Sequence, residues 1–363
     1  MVNSSTMTLI VIVMAIYFIG MIAISWMGRK YGKNFDDFIS AGRNCTTLMI
    51  IGSAVGSHIG NGYVVGGAAS GAAVGLSGAW YGIGCALSYL AVALVLNHRV
   101  YKCGYISLPE ILNARYGEKM TSVIFSVTTA LSYIANIAAQ LMAGKALFEA
   151  LGFNGTLGVW VIAVVVMAYS CISGLWGACA TSVVQVAIII VSLLATFFIV
   201  LGRGAFGLVT EAVANGLAPA SYFDMGADGI AAILITIVPI SLASLCEQCT
   251  VQRITSAKSE KTSFRALILS VVIMIPCALM PAFIGMYGYV LFGDTTNSVF
   301  FKVALDVLPS FFAALLIAAV VAAIMSTIDT MFVAFSTIIM HNIYRGMINP
   351  NASEGTLKKG DFA

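Results

Sequence analysis

Between Arg43 and Arg99 this chain runs for 55 residues without an Asp, Glu, Lys or Arg, and between Glu149 and Arg203 for 53. A helix needs about 20 apolar residues to cross the hydrocarbon layer, so each run has room for two crossings. Lipid offers no solvent for unpaired backbone groups, which confines such a chain to a bundle of membrane helices. Single crossings fit before Arg29, between Lys119 and Lys145, around Ser241, between Arg265 and Asp294, and from Asp306 to Arg345, where Asp329 is the one interruption. Nine helices are predicted, at 6–28, 46–70, 77–97, 120–146, 156–173, 178–201, 228–250, 266–291 and 309–344.

Composition removes other classes. Charged residues make up 9% and hydrophobic ones 60%, where soluble domains carry roughly a quarter charged residues. A soluble enzyme and a disordered chain are both excluded, no enzymatic activity is expected, and a net charge of +3 does not argue for a nucleic-acid partner. The eight cysteines stand singly apart from Cys246 and Cys249, and read as small buried hydrophobes rather than a disulfide framework. The first apolar run is too long for a signal peptide, and Arg29-Lys30 follows it rather than preceding it, so it is read as a retained helix.

Basic residues set the orientation, since they gather on the cytoplasmic side of short loops. With the N-terminus outside, fifteen of the 18 lie in inner loops, from Arg29 to Arg43, Arg99 to Lys119, Arg253 to Arg265 and Arg345 to Lys359, against Lys145, Arg203 and Lys302 outside. A multi-pass plasma-membrane protein with a cytoplasmic tail is expected.

The second predicted helix holds Gly56, Gly60, Gly62, Gly66, Gly67 and Gly71, with Ser57, His58 and Asn61 among them. Glycine costs a helix about 1 kcal/mol relative to alanine. Polar residues interleaved with Gly56 to Gly62 favour unwinding around a site, whereas Gly66 to Gly71 read as close helix packing. The seventh helix carries an interruption at Pro239, followed by Ser241 and Ser244. Two broken helices at matching places suggest an inverted five-helix repeat with a binding site at the bilayer midplane. In the ninth helix, Ser326, Thr327 and Asp329 lie together, and a carboxylate inside a span is a functional candidate by default. Oxygen ligands suit a hard cation such as sodium.

Four stretches resemble the sodium/solute symporter family, which includes proline, pantothenate, sialate and sugar carriers. Asp36-Asp37-Phe38-Ile39-Ser40-Ala41-Gly42-Arg43 resembles its first inner loop, and Ser173 to Ala178 with Val183-Val184-Gln185 the start of its sixth helix. Glu247-Gln248 with Val251-Gln252-Arg253 and Ala257-Lys258-Ser259 resembles the end of its seventh. Ala322 to Thr330, continuing to Ser336-Thr337 and Asn342-Ile343-Tyr344, is the most specific. The resemblance implies an all-α, LeuT-like inverted-repeat fold and a sodium-coupled symporter that imports a small organic solute by alternating access. It places main-chain sodium ligands at Gly56, Ile59 and Ala323, and side-chain ligands at Ser326 and Thr327, with Asp329 close to the cation path. Many members carry Thr-Asp where this chain has Thr181-Ser182, so a cation or proton pathway through that acid is not expected.

A family core of ten helices plus a first one needs eleven spans, so the expectation is a C-terminally incomplete chain. Its divisions are the extra helix and loop at 1–45, a first repeat at 46–201, a three-helix second repeat at 202–344 and a polar tail at 345–363. A transporter-like sensor, a non-transporting fragment and a channel are the alternatives. Substrate contacts are expected from Ser57, His58, Asn61, Ile240, Ser241 and Ser244. Ile240, Ala243 and Ser244 supply too few hydrogen-bonding groups for a sugar, which points to a small carboxylate, an amino acid or a pantothenate-like solute. Cys246 to Cys249 has CxxC spacing but no second pair and reads as structural. His98 and His341 are expected to be solvated, and Glu110 to Tyr116 to form a short inner helix after Pro109.

Overall fold

The computed structural model describes residues 4–32, 34–117, 119–349 and 351, so most of the expected tail lies outside the described residues. The helix α1 (Ser4–Gly28) keeps Ile16, Ile19 and Met27 exposed, as side chains facing lipid are. The short α2 (Phe35–Ser40) leads to α3 (Thr47–His58), where the Thr46 hydroxyl accepts the Met49 N–H as an N-cap. Ile59 and Gly60 then break the helix before α4 (Asn61–Val74). α5 (Trp80–Ala91) passes through a π-helical turn into α6 (Asn97–Cys103). α7 (Leu108–Tyr116) starts on a Ser107/Glu110 capping box with Pro109 in its first turn, the pairing that satisfies the free N-terminal amides of a helix.

α8 (Lys119–Ala150) and α9 (Gly155–Gly202) follow, α9 capped by the Asn154 side chain, which accepts the Thr156 N–H at 2.9 Å. Next come α10 (Ala205–Ala214), α11 (Gly229–Leu245), α12 (Gln248–Thr255), α13 (Glu260–Phe292) and α14 (Ser298–Lys302). α15 (Ser310–Ser336) continues as a π-helical stretch, Thr337–Ile348.

Among the described residues six helices are long and apolar enough to cross a membrane, or seven if the pair α11/α12 counts as one. The nine expected crossings are recovered once two mergers are undone. Asn61–Cys103 runs α4 and α5 together. Within α9, sixteen residues of straight helix would hold Tyr169 and Gln185 about 24 Å apart, yet the Gln185 amide donates to the Tyr169 hydroxyl at 3.5 Å. The chain therefore folds back at Gly174, whose φ of +58° and ψ of −143° only glycine adopts readily.

One expectation is corrected. Pro239 lies inside an unbroken α11, and the break falls later, at Cys246 and Glu247, where α11 and α12 meet at 55°. Proline costs a helix one amide hydrogen bond, whereas at Glu247 the backbone turns extended (φ −91°, ψ 129°) and starts a new helix. All eight residues of α12 are buried although five of them are polar, and those side chains tie loops together. The Gln248 oxygen accepts the Leu108 N–H at 2.8 Å, and the Gln252 amide donates to Thr337 Oγ1 at 2.6 Å and to the Ile39 carbonyl at 3.3 Å.

The expected inner loops meet at one end of the bundle. Lys258 N–H donates to the Cys45 carbonyl, Arg43 to the Gly104 carbonyl, and Arg345 to Asp36, while His98 pairs with Glu260 and His341 with Glu110. At the opposite end Thr6 meets Ser310, Leu76 N–H donates to the Tyr222 carbonyl, and Trp80 donates to the Met225 carbonyl. His98 is exposed as expected, but His341 keeps only 11% of its side chain accessible. Its 2.6 Å contact with Glu110 between α7 and the end of α15 takes it out of solvent.

α15 is the centre of the molecule: 83% of its most apolar stretch is buried, against 22% for α1 and for α8. Beside it, α4 and α13 approach closely through glycine. A Cβ on Gly71 would fall on the Ala282 carbonyl, and one on Gly285 on the Ala68 carbonyl, which is how small residues let membrane helices touch backbones. Gly62 and Gly66 have nothing within 4 Å of that position, so the packing reading holds for Gly71 and not for Gly66.

Candidate functional site

The break in the second crossing leaves Ile59 at φ −78°, ψ 61° and Gly60 extended. Ile59 N–H still bonds the Val55 carbonyl at 2.8 Å, but the Gly56 carbonyl is taken by a side chain from the far end of the chain. Ser326 Oγ donates to it at 2.7 Å and to the Ala323 carbonyl at 3.1 Å. Thr327 Oγ1 is 2.9 Å from the same Ala323 carbonyl and 3.4 Å from that of Ser57. Gly60 is tight here, since a Cβ on it would sit 2.9 Å from Thr327 Oγ1. Gly56, Ala323, Ser326 and Thr327 are all buried. Carbonyl and hydroxyl oxygens without nitrogen or sulfur form the donor set of a hard monovalent or divalent cation, and the hydroxyls need only turn their protons away to present lone pairs inward.

Asp329 is fully buried, and its carboxylate faces α9 rather than α3. Tyr169 donates to Oδ2 at 2.9 Å and Thr181 at 3.4 Å, and Thr330 donates to Oδ1 at 3.1 Å. None of these partners is shared with Ser326 or Thr327 side chains. Thr181, on the helix that lacks an acid, thus meets an acid supplied by α15.

A cavity of about 470 Å³ opens beside the break, walled by α3/α4, α5, α8, α11 and α15. Ser57, His58, Ile240 and Ser244 line it, together with Thr327; Asn61 and Ser241 do not. Ser241 is one residue past Ile240, about 100° round the helix, and points elsewhere. His58 Nδ1 lies 2.7 Å from the Tyr89 hydroxyl, which in turn accepts from the buried Arg253 at 3.0 Å. Arg253 also donates to Ser53 and stands 4.0 Å from Glu247, a carboxylate in the cavity wall. The two CxxC cysteines serve different surroundings: Cys246 lines the cavity, while buried Cys249 meets Tyr133 and the Thr330 carbonyl.

The sequence reading missed the polar wall on α8. Thr128, Ser132, Asn136 and Gln140 follow each other at four-residue spacing and all line the cavity. Residues i and i+4 share a helix face, so this ladder was available as a signal inside an otherwise apolar span. It also alters the argument from α11: Ile240, Ala243 and Ser244 are poor in donors, but the cavity as a whole is not.

An all-helical membrane bundle with one crossing unwound against a hydroxyl-bearing central helix is the architecture of a secondary transporter. A model of the sodium:solute symporter family matches residues 38–361. The chain belongs to that family: it is a multi-pass membrane protein and a sodium-coupled symporter of a solute. It is similar to the sodium/proline symporter of Escherichia coli (strain K12), 24% identical over 378 residues that cover 96% of this chain and 73% of the relative. It is also similar to the high-affinity proline transporter of Bacillus subtilis (strain 168), 24% identical over 93% of this chain and 74% of that one. Sodium/glucose cotransporter 1 of Oryctolagus cuniculus is 24% identical over 95% of this chain and 59% of the relative. A solved, substrate-bound, outward-open structure of a Na+-coupled sialic acid symporter superimposes with a TM-score of 0.83 at 18% identity, over 98% of this chain and 77% of that one. That likeness shows the fold, which is LeuT-like.

Proposed function

We propose that the co-transported sodium is held by the main-chain oxygens of Gly56, Ile59 and Ala323 and the hydroxyls of Ser326 and Thr327, and that the adjoining cavity takes a small carboxylate or zwitterion. The observation that carries this reading is the meeting of Ser326 and Thr327 with the carbonyls freed at the Gly56–Gly60 break. Thr327 belongs to both features, bonding Ala323 and lining the cavity, which gives a direct route for coupling. A bound cation orders the break, and the ordered break completes the solute site.

The solute end of the proposal rests on α4. This helix begins at Asn61 without a side-chain cap; its Tyr63 N–H bonds the Gly60 carbonyl at 3.1 Å, which leaves the Asn61 and Gly62 amides and the positive end of the dipole to meet an anion. Two of the relatives are named for proline and the structural neighbour for sialic acid, both of which carry a carboxylate. Residues 46–201 and 202–344 act in this reading as the two repeats that rock about the site, Asp329, on α15 and facing α9, tunes the cation path, and the N-terminus faces outward. Sodium-dependent binding to the purified protein tests the solute class: displacement by glucose or galactose, and by no carboxylate, overturns it.

A further inference from the structure

The amide of Gln140 stands unbonded at the edge of the helix break. Its Nε2 and Oε1 lie 3.5 and 3.6 Å from the point a Cβ on Gly60 would occupy, and Thr327 Oγ1 lies 2.9 Å from that same point. Gln140 and Thr327 thus face each other across Gly60, on the cavity wall. Gln140 Oε1 is buried and has no hydrogen-bond partner. The three polar residues below it on α8 behave differently: Thr128, Ser132 and Asn136 each donate back to a carbonyl four positions earlier. Those three each find a partner on their own helix, and Gln140 does not.

A buried acceptor left unpaired is costly, so the site favours a ligand that brings a donor to it. The rest of the wall says what kind. Among the described residues lining the cavity, Glu247 is the one carboxylate, and no Lys or Arg is present. An anionic group has the start of α4 to bind, within reach of Gly60 and Gly62. A donor beside that anionic group would fall to Gln140.

We infer that Gln140 is a specificity-determining residue for the transported solute: its Oε1 accepts an N–H carried next to the solute's carboxylate, so that amino acids are taken and the same acids without the amino group are rejected. This rests on the reading of the cavity as the solute site. A site built around a hydrogen bond discriminates strongly against the analogue that lacks the donor, because the protein group is then stranded.

The test uses the full chain in lipid nanodiscs with sodium, and three matched probe pairs: L-proline and cyclopentanecarboxylate, L-alanine and propanoate, L-valine and 3-methylbutanoate. Binding affinity is measured for each pair. For the pair bound best, the amino acid should exceed its partner by at least about 10-fold. Gln140→Leu should bring that ratio below about 3-fold, and Gln140→Met should do the same if the leucine variant does not fold. Gln140→Glu, which keeps an acceptor oxygen, should retain the preference. Equal binding of the two members in the parent protein, or an undiminished preference in the leucine or methionine variant, overturns the inference and leaves the proposed solute class standing. Sodium-dependent binding of no acid in the panel overturns both.

Discussion

Ser326 Oγ lies 2.7 Å from the carbonyl oxygen of Gly56, 270 positions earlier in the chain. Gly56 allows the approach, since a Cβ there would already press on the Ser326 side chain at 3.2 Å. The contact joins the unwound end of α3 to the most buried of the long apolar helices, and any movement of one against the other must break or remake it. A cation bound between them would therefore sense, and bias, the relative position of α3 and α15.

Removing one of these hydroxyls should weaken sodium coupling without unfolding the chain. Thr327→Ala and Ser326→Ala are each expected to cost on the order of 1 to 3 kcal/mol of sodium binding, as for a lost buried polar partner. The measurement is the sodium concentration that half-saturates solute binding. If neither variant moves it, the proposed cation site is wrong.

The glycines of α4 separate into two kinds, and substitution should tell them apart. Gly71→Ala places a methyl on the Ala282 backbone and should lower thermal stability by at least about 2 kcal/mol, because overpacking against backbone has no rotamer escape. Gly66→Ala meets nothing within 4 Å and should leave stability unchanged or raise it by up to about 1 kcal/mol through helix propensity. Equal losses in the two variants would show that the close approach of α4 and α13 is not what holds this region.

The number and rough limits of the crossings were legible in the sequence because charge-free runs and turn-forming glycines are local. The break at Gly56 to Gly62 was legible for the same reason, and Ser326-Thr327 stood out as hydroxyls beside the in-span carboxylate of Asp329 and again through the resemblance. The second break was misplaced at Pro239 because proline is the visible local breaker, whereas the turn at Cys246 and Glu247 depends on α12 docking its buried glutamines on Ile39, Leu108 and Thr337. Such clamps join residues more than 80 positions apart and leave no periodic trace. The polar ladder ending at Gln140 was present as a four-residue repeat, hidden by the apolar residues between its rungs.

Asp329 offers a separate readout. Its oxygens accept from Tyr169, Thr181 and Thr330, and an asparagine could keep the bond from Tyr169 while the charge is lost. Asp329→Asn should insert and fold, and should reduce sodium affinity more than it reduces expression. Normal sodium binding by a poorly inserted variant would instead make the carboxylate a structural tie between α9 and α15.

At the loop-rich end, Glu110 caps α7 and meets His341. Burial alone would raise its pKa, but the His341 contact and the Ser107 and Ile106 amides outweigh it and hold the carboxyl below its ordinary value. A depressed folded-state pKa contributes stability that is present above the unfolded value, about 4.3, and is lost as pH falls through the folded one. Melting temperature should therefore decline on acidification below that range, and Glu110→Gln should be less stable at neutral pH with a flatter acid limb. An unchanged acid limb in the variant would show that the latch does not set it.

Orientation is open to a labelling experiment. Loops around residues 36–45, 98–110, 253–260 and 341–345 meet at one end of the bundle, and they carry Arg43, Arg99, Lys102, Arg253, Lys258 and Arg345, basic residues of the kind the cytoplasmic side retains. The loop containing Asp224 lies with Leu76 and Trp80 at the other end. Cys103 and Cys246 are already exposed, so both are replaced by serine before single thiols are introduced at the exposed positions Asp224 and Lys258. In intact cells a membrane-impermeant maleimide should label the thiol at 224 at once, and the thiol at 258 only after the membrane is permeabilised. Labelling of 258 alone from outside would invert the topology, and with it the direction in which the cavity beside Gly60 must open to take up solute.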